Sequence, residues 1–483
     1  MMETLNRSTH MLPNYPTKII QFGEGNFLRA FVDWQVDLLN EFAGFNAGIT
    51  IIRPIKAEHP KLDNQDGLYT ALIQGINEEG SVVSEPRIVS SINKEIKVYG
   101  EYDAFLLEAE NEALEWIISN TTEAGICFDD NDLFSLHPAN TFPGKLIQFL
   151  HHRYNFFSGD LNKGLIFLPC ELIDYNGEKL KETLLQYCEL WSLEEAFVTW
   201  LEKANTFCST LVDRIVTGYP SSNIQEIESK LGYKDNFLVS AEYFYLFVIQ
   251  GPDFLNKKLC LDKYPLNIKI VDDIKPYKER KVGILNGVHT ALVPVAYLAG
   301  VNTVAEAMND KQISIFINRL LHDEIIPSLD IDKKDLISFS HEVINRFKNP
   351  YIEHFLTSIS LNSFAKFNSR ILPQMLNYLE KNKQAPKLLS FSLASLICFY
   401  LGKRGSEDIP LNDDEWIMKL FSEWRILYEN DNQQLVNNVL GLEKLWGRDL
   451  NQEANLTKEV VHLLTNIKNI GIRETLKNEF LIN

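Results

Sequence analysis

Lys281, Asn286 and His289 interrupt a run that is apolar but for them and Thr290 and that continues to Leu292. A primary amine, a carboxamide and an imidazole are the parts needed to move a proton on or off a carbinol oxygen without a metal ion. Asn286 and His289 lie three residues apart and share one face if the segment is helical, with Lys281 preceding that helix and reaching over its first turn. Gly283 and Gly287 allow backbone or substrate to come close. A lysine titrates near ~10.4 in water, and partial burial against Ile284 and Val288 is expected to lower that value toward neutrality. On this reading Lys281 takes the hydroxyl proton in oxidation and returns it in reduction. Asn286 donates a hydrogen bond to the developing alkoxide, and His289 orients the oxygen or the amine. The spacing leaves the plainer reading open as well, since a lysine beside Lys278 and Arg280 is often a solvated charge and a histidine in an apolar helix is often a core residue.

A second pattern lies near the other end. The apolar run 18–22 is followed directly by Gly23, Glu24 and Gly25, and then by a helical repeat over 27–42 in which Phe31, Trp34, Leu38 and Phe42 recur. Glycines at a strand-to-helix turn let backbone approach a pyrophosphate at a helix N-terminus. The third glycine of the full fingerprint is absent, Leu28 standing in its place, so the turn alone is a weak signal. The second strand of such a fold commonly ends in an acid that holds the adenosine ribose; here it ends at Arg53, which can accept a 2′-phosphate, so these residues do not choose between NAD and NADP. Asn120, Thr121 and Thr122 follow a later central strand and are candidates for the nicotinamide half, or an ordinary turn.

The elements that must position these groups follow from periodicity. Strand-like runs at 18–22, 48–53, 68–74, 81–89, 115–119 and 164–170 alternate with helical stretches at 27–42, 102–113 and 143–157, which predicts an α/β fold with a mostly parallel, helix-covered sheet of Rossmann type. After about residue 240 strand signals become rare, and helical stretches at 313–321, 387–401, 415–429 and 457–467 dominate. Only 262–281 hints at an extended connection. A chain of 483 residues exceeds one core, so two domains are expected: 1–240 binding a dinucleotide, and 241–483, mostly α-helical, carrying substrate and catalysis.

Composition narrows the function classes. The net charge of −18 disfavours nucleic acid and anionic membranes as partners, and obliges an anionic ligand to find local cations. The six cysteines form no CxxC pair, and no His/Cys/carboxylate cluster has ligand spacing, so no metal site is expected. No run approaches the roughly 20 apolar residues of a membrane span, and residues 1–15 lack a signal-peptide core. A cytoplasmic protein is the expectation.

The Lys-x4-Asn-x2-His spacing resembles the signature of the polyol-specific long-chain dehydrogenases, the mannitol dehydrogenase family. Residues 20–31 resemble that family's nucleotide turn, most closely in members that interconvert D-tagaturonate and D-altronate. Segments 119–125, 141–145, 170–177, 212–215, 241–244, 346–350 and 366–373 fall in the family's order, and the similarity runs from about residue 17 to Trp446 and Gly447. The resemblance implies a Rossmann-type N-terminal domain, a helical C-terminal domain and metal-independent hydride transfer with NAD, with Lys281 as acid/base and Asn286 and His289 as its partners. It implies cofactor contacts at Ile20, Phe22, Gly23, Gly25, Asn26, Phe27, Asn120, Thr121 and Thr122. Family members use a further asparagine on the reacting oxygen; Leu172 occupies that position, and Asn176 is the candidate substitute. Asp213 falls where the family's Val-Asp-Arg-Ile motif approaches substrate. Tyr243 replaces a common proline, and Lys278 stands where some members carry an acid. The implied partner is a small sugar acid, altronate or tagaturonate, whose carboxylate needs a cation. Lys366 and Arg370 are the candidates, although a charge pair at a helix end reads the same way. Reduction of fructuronate, oxidation of a neutral polyol, and a regulator that kept the fold without the chemistry are the alternatives.

Overall fold

Short β-branched runs build the first part of the chain. In the computed structural model, which describes residues 2–56, 58–122 and 124–481, these runs form thirteen strands: β1 (Thr17–Phe22), β2 (Gly48–Arg53), β3 (Tyr69–Ile76), β4 (Val82–Val89), β5 (Ile92–Lys97), β6 (Trp116–Ser119), β7 (Ile166–Pro169), β8 (Thr206–Phe207), β9 (Ser209–Asp213), β10 (Val216–Gly218), β11 (Val239–Glu242), β12 (Leu246–Gln250) and β13 (Ile268–Val271). Six of them make one parallel sheet in the order β5-β2-β1-β6-β7-β8. Strands β2, β6 and β7 are buried at every position, as expected when both faces of a parallel sheet are covered. One apolar cluster, including Phe31, Ile49, Ile51 and Ile118, fills one face, and another, including Ile20, Phe22, Ile117 and Phe149, fills the other.

The order of strands reverses between β1 and β6, which places the sheet's switch point at the ends of these two strands. Two smaller sheets, β10-β11-β3-β4 and β13-β12-β9, complete the unit. The chain divides at Ile274/Lys275, later than the boundary at 240 read from the sequence. The difference comes from β12 and β13. Their runs of five and four residues are too short for periodicity to separate strand from helix, yet β12 pairs with β9 and β13 and so belongs to the first unit. The helix expected over 102–113 stops at Glu108. Beyond it Asn111 turns its side chain on the backbone, accepting from the Ala113 N–H at 2.9 Å and donating to the Thr17 carbonyl at 2.8 Å, a local competition that ends helices.

The second unit is helical apart from the two-residue strands Lys403–Arg404 and Glu407–Asp408. Its centre is the helix Lys387–Tyr400, buried at every position after Lys387. Ser392 on this helix donates to the Ala291 carbonyl at 2.8 Å and so pins the helix Gly287–Leu298, which is itself buried at ten positions. Pro386 gives the central helix no capping side chain. Glu324 does so from a distance: its two carboxylate oxygens accept the N–H groups of Leu388 and Leu389, each at 2.8 Å.

Burial raises the Glu324 carboxyl to about 7, above its unfolded value near ~4.3. A carboxyl raised on folding favours the folded state fully below the unfolded value, and this contribution is lost as pH climbs through the folded one. The stability advantage of the unaltered chain over Glu324→Gln is therefore expected to shrink between about pH 5 and about pH 7.5, read by paired thermal melts. A difference that grows with pH would contradict the assignment.

Candidate active site

In the first unit the switch point is built by close contact of two strand ends. Gly23 has φ +112°, and a Cβ placed there would lie 2.8 Å from the Asn120 carbonyl oxygen. Only glycine lets the turn after β1 touch the end of β6 in this way. The Asn120 N–H donates to the Phe22 carbonyl at 3.0 Å, and the Gly23 N–H to that of Ile52, also at 3.0 Å. Gly25, in contrast, is exposed, and a Cβ on it would meet nothing within 4 Å. It is the N-cap of a helix that runs unbroken from residue 26 to 43, with a π turn at Arg29–Asp33. An open backbone edge at a helix start is what a pyrophosphate requires. Asn26 is exposed, its Oδ1 receiving Arg29 at 2.5 Å, and Phe27 stacks on Phe31 at 5.0 Å.

Two of the expected cofactor contacts lie elsewhere. Ile20 and Phe22 are 0% exposed. Ile20 is paired in the ladder on both sides, and the Phe22 ring packs on Phe105 and Phe142. Alternation along a strand forced this outcome: both point to the same covered face. Gly23 meets Asn120 at the crevice, Gly25 and Asn26 lie exposed at the start of the following helix, Phe27 packs against the apolar cluster that includes Phe31, and exposed Thr122, next to Thr121, takes φ +84°.

Glu171, just past the end of β7, organises that crevice. Its carboxylate accepts from Ser119 Oγ at 3.0 Å, from the Thr121 N–H at 3.0 Å and from Thr121 Oγ1 at 2.9 Å. Burial raises its pKa, and these donors pull it back only in part. The sequence reading passed over Glu171; an acid immediately after a buried parallel strand was the available signal. Asn176, the candidate for the reacting oxygen, is 0% exposed. Its Nδ2 donates to the carbonyls of Pro169 and Glu171 at 2.9 and 3.0 Å, and its Oδ1 accepts the Thr210 N–H at 2.7 Å. The amide braces β7 against β9 and presents nothing outward. Asp213 is likewise buried, at the end of β9 opposite Leu246. Its neighbour Arg214 donates to the Glu242 and Ala30 carbonyls at 2.9 and 2.7 Å.

In the second unit Lys281 does not precede the helix but lies inside it. Helix Lys275–Arg280 passes into a π turn at Lys281–Asn286 and then into Gly287–Leu298. In an α-helix, residues five apart point about 140° from one another, five steps of about 100°. A π turn closes on its fifth residue, so Lys281 and Asn286 come to one face, and His289 follows three residues on. Gly283 faces Gln374 and Leu329, each within 3.1 Å of a would-be Cβ. The glycines at 283 and 287 thus serve helix packing rather than substrate approach. Gln374 donates to the Gly283 carbonyl at 3.3 Å and to that of Arg370 at 2.8 Å, tying the π turn to the helix that carries Arg370.

The His289 ring stacks on Phe347 at 4.2 Å and meets His354 edge-on at 5.2 Å. Burial, then the charges of His354, Arg346 and Arg370, hold its pKa well below the usual histidine value, so the ring is neutral at pH 7. Its Nε2 is buried without a hydrogen-bond partner among the described residues. Thr290 donates to the Asn286 carbonyl at 2.8 Å and accepts from Arg370 at 3.5 Å. Burial lowers the Arg370 pKa, and among the described residues no carboxylate offsets it. Lys366 donates to the Ile359 carbonyl at 2.8 Å; burial and Arg370 lower its pKa, with Asp413 opposing. Arg346, which the sequence offers only as part of a family motif, is a buried cation acting on His289, whereas Arg370 and Lys366 are half-buried.

Both halves match known proteins. Residues 17–263 match the mannitol dehydrogenase Rossmann domain, and residues 273–468 the mannitol dehydrogenase C-terminal domain. The chain belongs to the mannitol dehydrogenase family. Within it, an altronate oxidoreductase of Escherichia coli is 52% identical over 480 residues, covering 99% of each chain. One of Shigella flexneri is 52% identical over 483 residues with the same coverage. Among solved structures, Pseudomonas fluorescens mannitol 2-dehydrogenase in ternary complex with NAD and D-mannitol aligns with TM-score 0.67 at 20% identity, over 99% of each chain. A substrate-free D-sorbitol dehydrogenase aligns with TM-score 0.80 at 19% identity, over 98% of this chain and 100% of that one. At such identities these two members speak for the fold. That fold is the one expected: a Rossmann-type parallel sheet followed by a helical domain.

Two outcomes follow for this family member. The His289 ring signals should stay unchanged from about pH 5.5 to about pH 8 when followed by NMR, and a titration near ~6.5 would contradict a buried neutral ring. Asn176→Ala should lower stability by about 2–4 kcal/mol, since several buried donors and acceptors lose their partner, as measured by denaturant unfolding.

Proposed function

We propose that this chain catalyses the reversible, NAD-dependent reduction of D-tagaturonate to D-altronate. The relatives at 52% identity carry the name altronate oxidoreductase over their full length, and a structural relative was solved with NAD. The observation that carries the reading lies in the second unit: an amine, an amide and a neutral imidazole with a buried unpartnered nitrogen share one helix face, beside a guanidinium whose burial no described carboxylate offsets. The first group of residues handles a proton; the second asks for an anion. A sugar acid supplies both the carbinol and the carboxylate.

The residues divide the work as follows. Gly23 and Gly25 shape the turn that receives the pyrophosphate, and Asn120, held by the Cys170 carbonyl, and Thr121, held by Glu171, border the crevice for the nicotinamide half. When bound, the nicotinamide takes up or supplies the hydride. Lys281 accepts the hydroxyl proton in altronate oxidation and returns it to the carbonyl oxygen in reduction. Asn286 donates its amide N–H to that oxygen as negative charge develops. The neutral His289 offers Nε2 to the same oxygen, and its lowered basicity keeps it from competing with Lys281 for the proton. Arg370 and Lys366 hold the carboxylate, so the cation cluster gives an anionic substrate a local foothold in a chain of net charge −18.

A panel of altronate, mannonate, mannitol and arabinitol, followed at the NADH absorbance band, tests the substrate. Altronate should be oxidised and the neutral polyols ignored; turnover of mannitol with none of altronate would overturn the reading. Lys281→Ala should lower turnover by about 10²–10⁴-fold with NADH binding intact. Arg370→Leu should act mainly on KM for altronate, raising it by about tenfold or more.

A further inference from the structure

The cation that the sequence offers to a 2′-phosphate is Arg53, the last residue of β2, where the adenosine ribose lies in sheets of this type. The structure withdraws it. The Arg53 side chain is 1% exposed and forms an ion pair with Glu95 of β5, which is equally buried. Its terminal nitrogens also donate to the carbonyls of His59 and Pro60 at 2.8 and 3.2 Å. A second carboxylate approaches from the glycine turn: Glu24 Oε1 lies 3.5 Å from Arg53 Nε. Two carboxylates therefore surround one guanidinium, and Glu24 is the accessible one, with its side chain 23% exposed. Of the neighbouring cations, exposed Lys56 lies over the Tyr99 ring at 4.8 Å, and the other two act on one carboxylate. Lys61 lies 2.6 Å from Glu101, and the charge of Lys97 acts on the same carboxylate.

Arriving at this edge, a ligand meets the Glu24 carboxylate ahead of the neutralised arginine. Ribose hydroxyls can donate to a carboxylate, whereas a phosphate is repelled by it. We infer that Glu24, in the glycine turn rather than at the end of β2, is the residue that makes this chain select a dinucleotide without a 2′-phosphate. The inference rests on the NAD reading given above. It places the discriminating acid one strand away from the usual position, because the usual position is taken by Arg53 and its buried pair. Removing the Glu24 charge leaves Arg53 with one carboxylate and returns part of its field to the ligand.

The test is calorimetric binding of ADP-ribose and 2′-phospho-ADP-ribose to the full chain, which requires neither substrate nor turnover. The unaltered chain should prefer ADP-ribose by about tenfold or more, and Glu24→Gln should narrow that gap by about tenfold through tighter binding of the phosphorylated fragment. For the unaltered chain the gap should also shrink as salt rises from about 0.02 M to about 0.5 M, because the repulsion is partly exposed and screened. An equal gap in Glu24→Gln, or a gap insensitive to salt, overturns the inference while leaving NAD in place. Failure of the unaltered chain to bind either fragment would remove the cofactor reading and the inference together. Failure of altronate turnover with the expected binding pattern would fault the substrate alone.

Discussion

One π turn, Lys281–Asn286, is the constraint on which the chemistry of the second unit depends. A regular α-helix through the same residues would point Lys281 and Asn286 well apart. Widening one turn aligns them, and the cost of the poorer hydrogen-bond ladder is met by packing. Gly283 allows Gln374 and Leu329 to press against the turn, Gln374 donates to the Gly283 carbonyl, and Ser392 fixes the following helix to the buried Lys387–Tyr400. The trio proposed to handle the proton is therefore held by the core of its unit and not by loops. Local irregularity of this kind, supported from outside, is common where function requires an unusual backbone.

Charge is managed by the same logic of burial and partnership. In the first unit each buried charge near the crevice has its counterpart: Arg53 has Glu95, Glu171 has Ser119 and Thr121, and Arg214 has backbone carbonyls. The half-buried Arg370 of the second unit is arranged differently. Among the described residues its guanidinium reaches Thr290 at a long 3.5 Å, and burial alone sets the direction of its pKa. Burial first, and then the charges of His354, Arg346 and Arg370, keep His289 uncharged. A protein carboxylate paired with Arg370 would cancel the charge proposed to attract a substrate carboxylate, while burial would still hold the imidazole neutral.

Much of this was legible in the sequence because it is local. The glycine turn, the strands at 18–22 and 48–53, the long helices of the second half and the Lys281, Asn286, His289 spacing all follow from residues near one another in the chain. What escaped depends on distant partners. Arg53 reads as a phosphate ligand until β5 brings Glu95 to it. Asn176 reads as a free amide until β9 brings Thr210. Ile20 and Phe22 sit beside the turn in sequence, but the sheet directs both into the core. The strands at 246–250 and 268–271 are too short to announce themselves, which moved the boundary from 240 to 274. No composition rule foretells the π turn, so Lys281 was placed before the helix instead of within it.

The central claim is that the Lys281 amine itself carries the proton, and rescue of Lys281→Ala by small primary amines tests it most directly. Altronate oxidation by the variant should be restored in part by added methylamine, in proportion to the concentration of its unprotonated form and therefore increasingly as pH rises. Undiminished turnover in the variant without added amine would contradict the account.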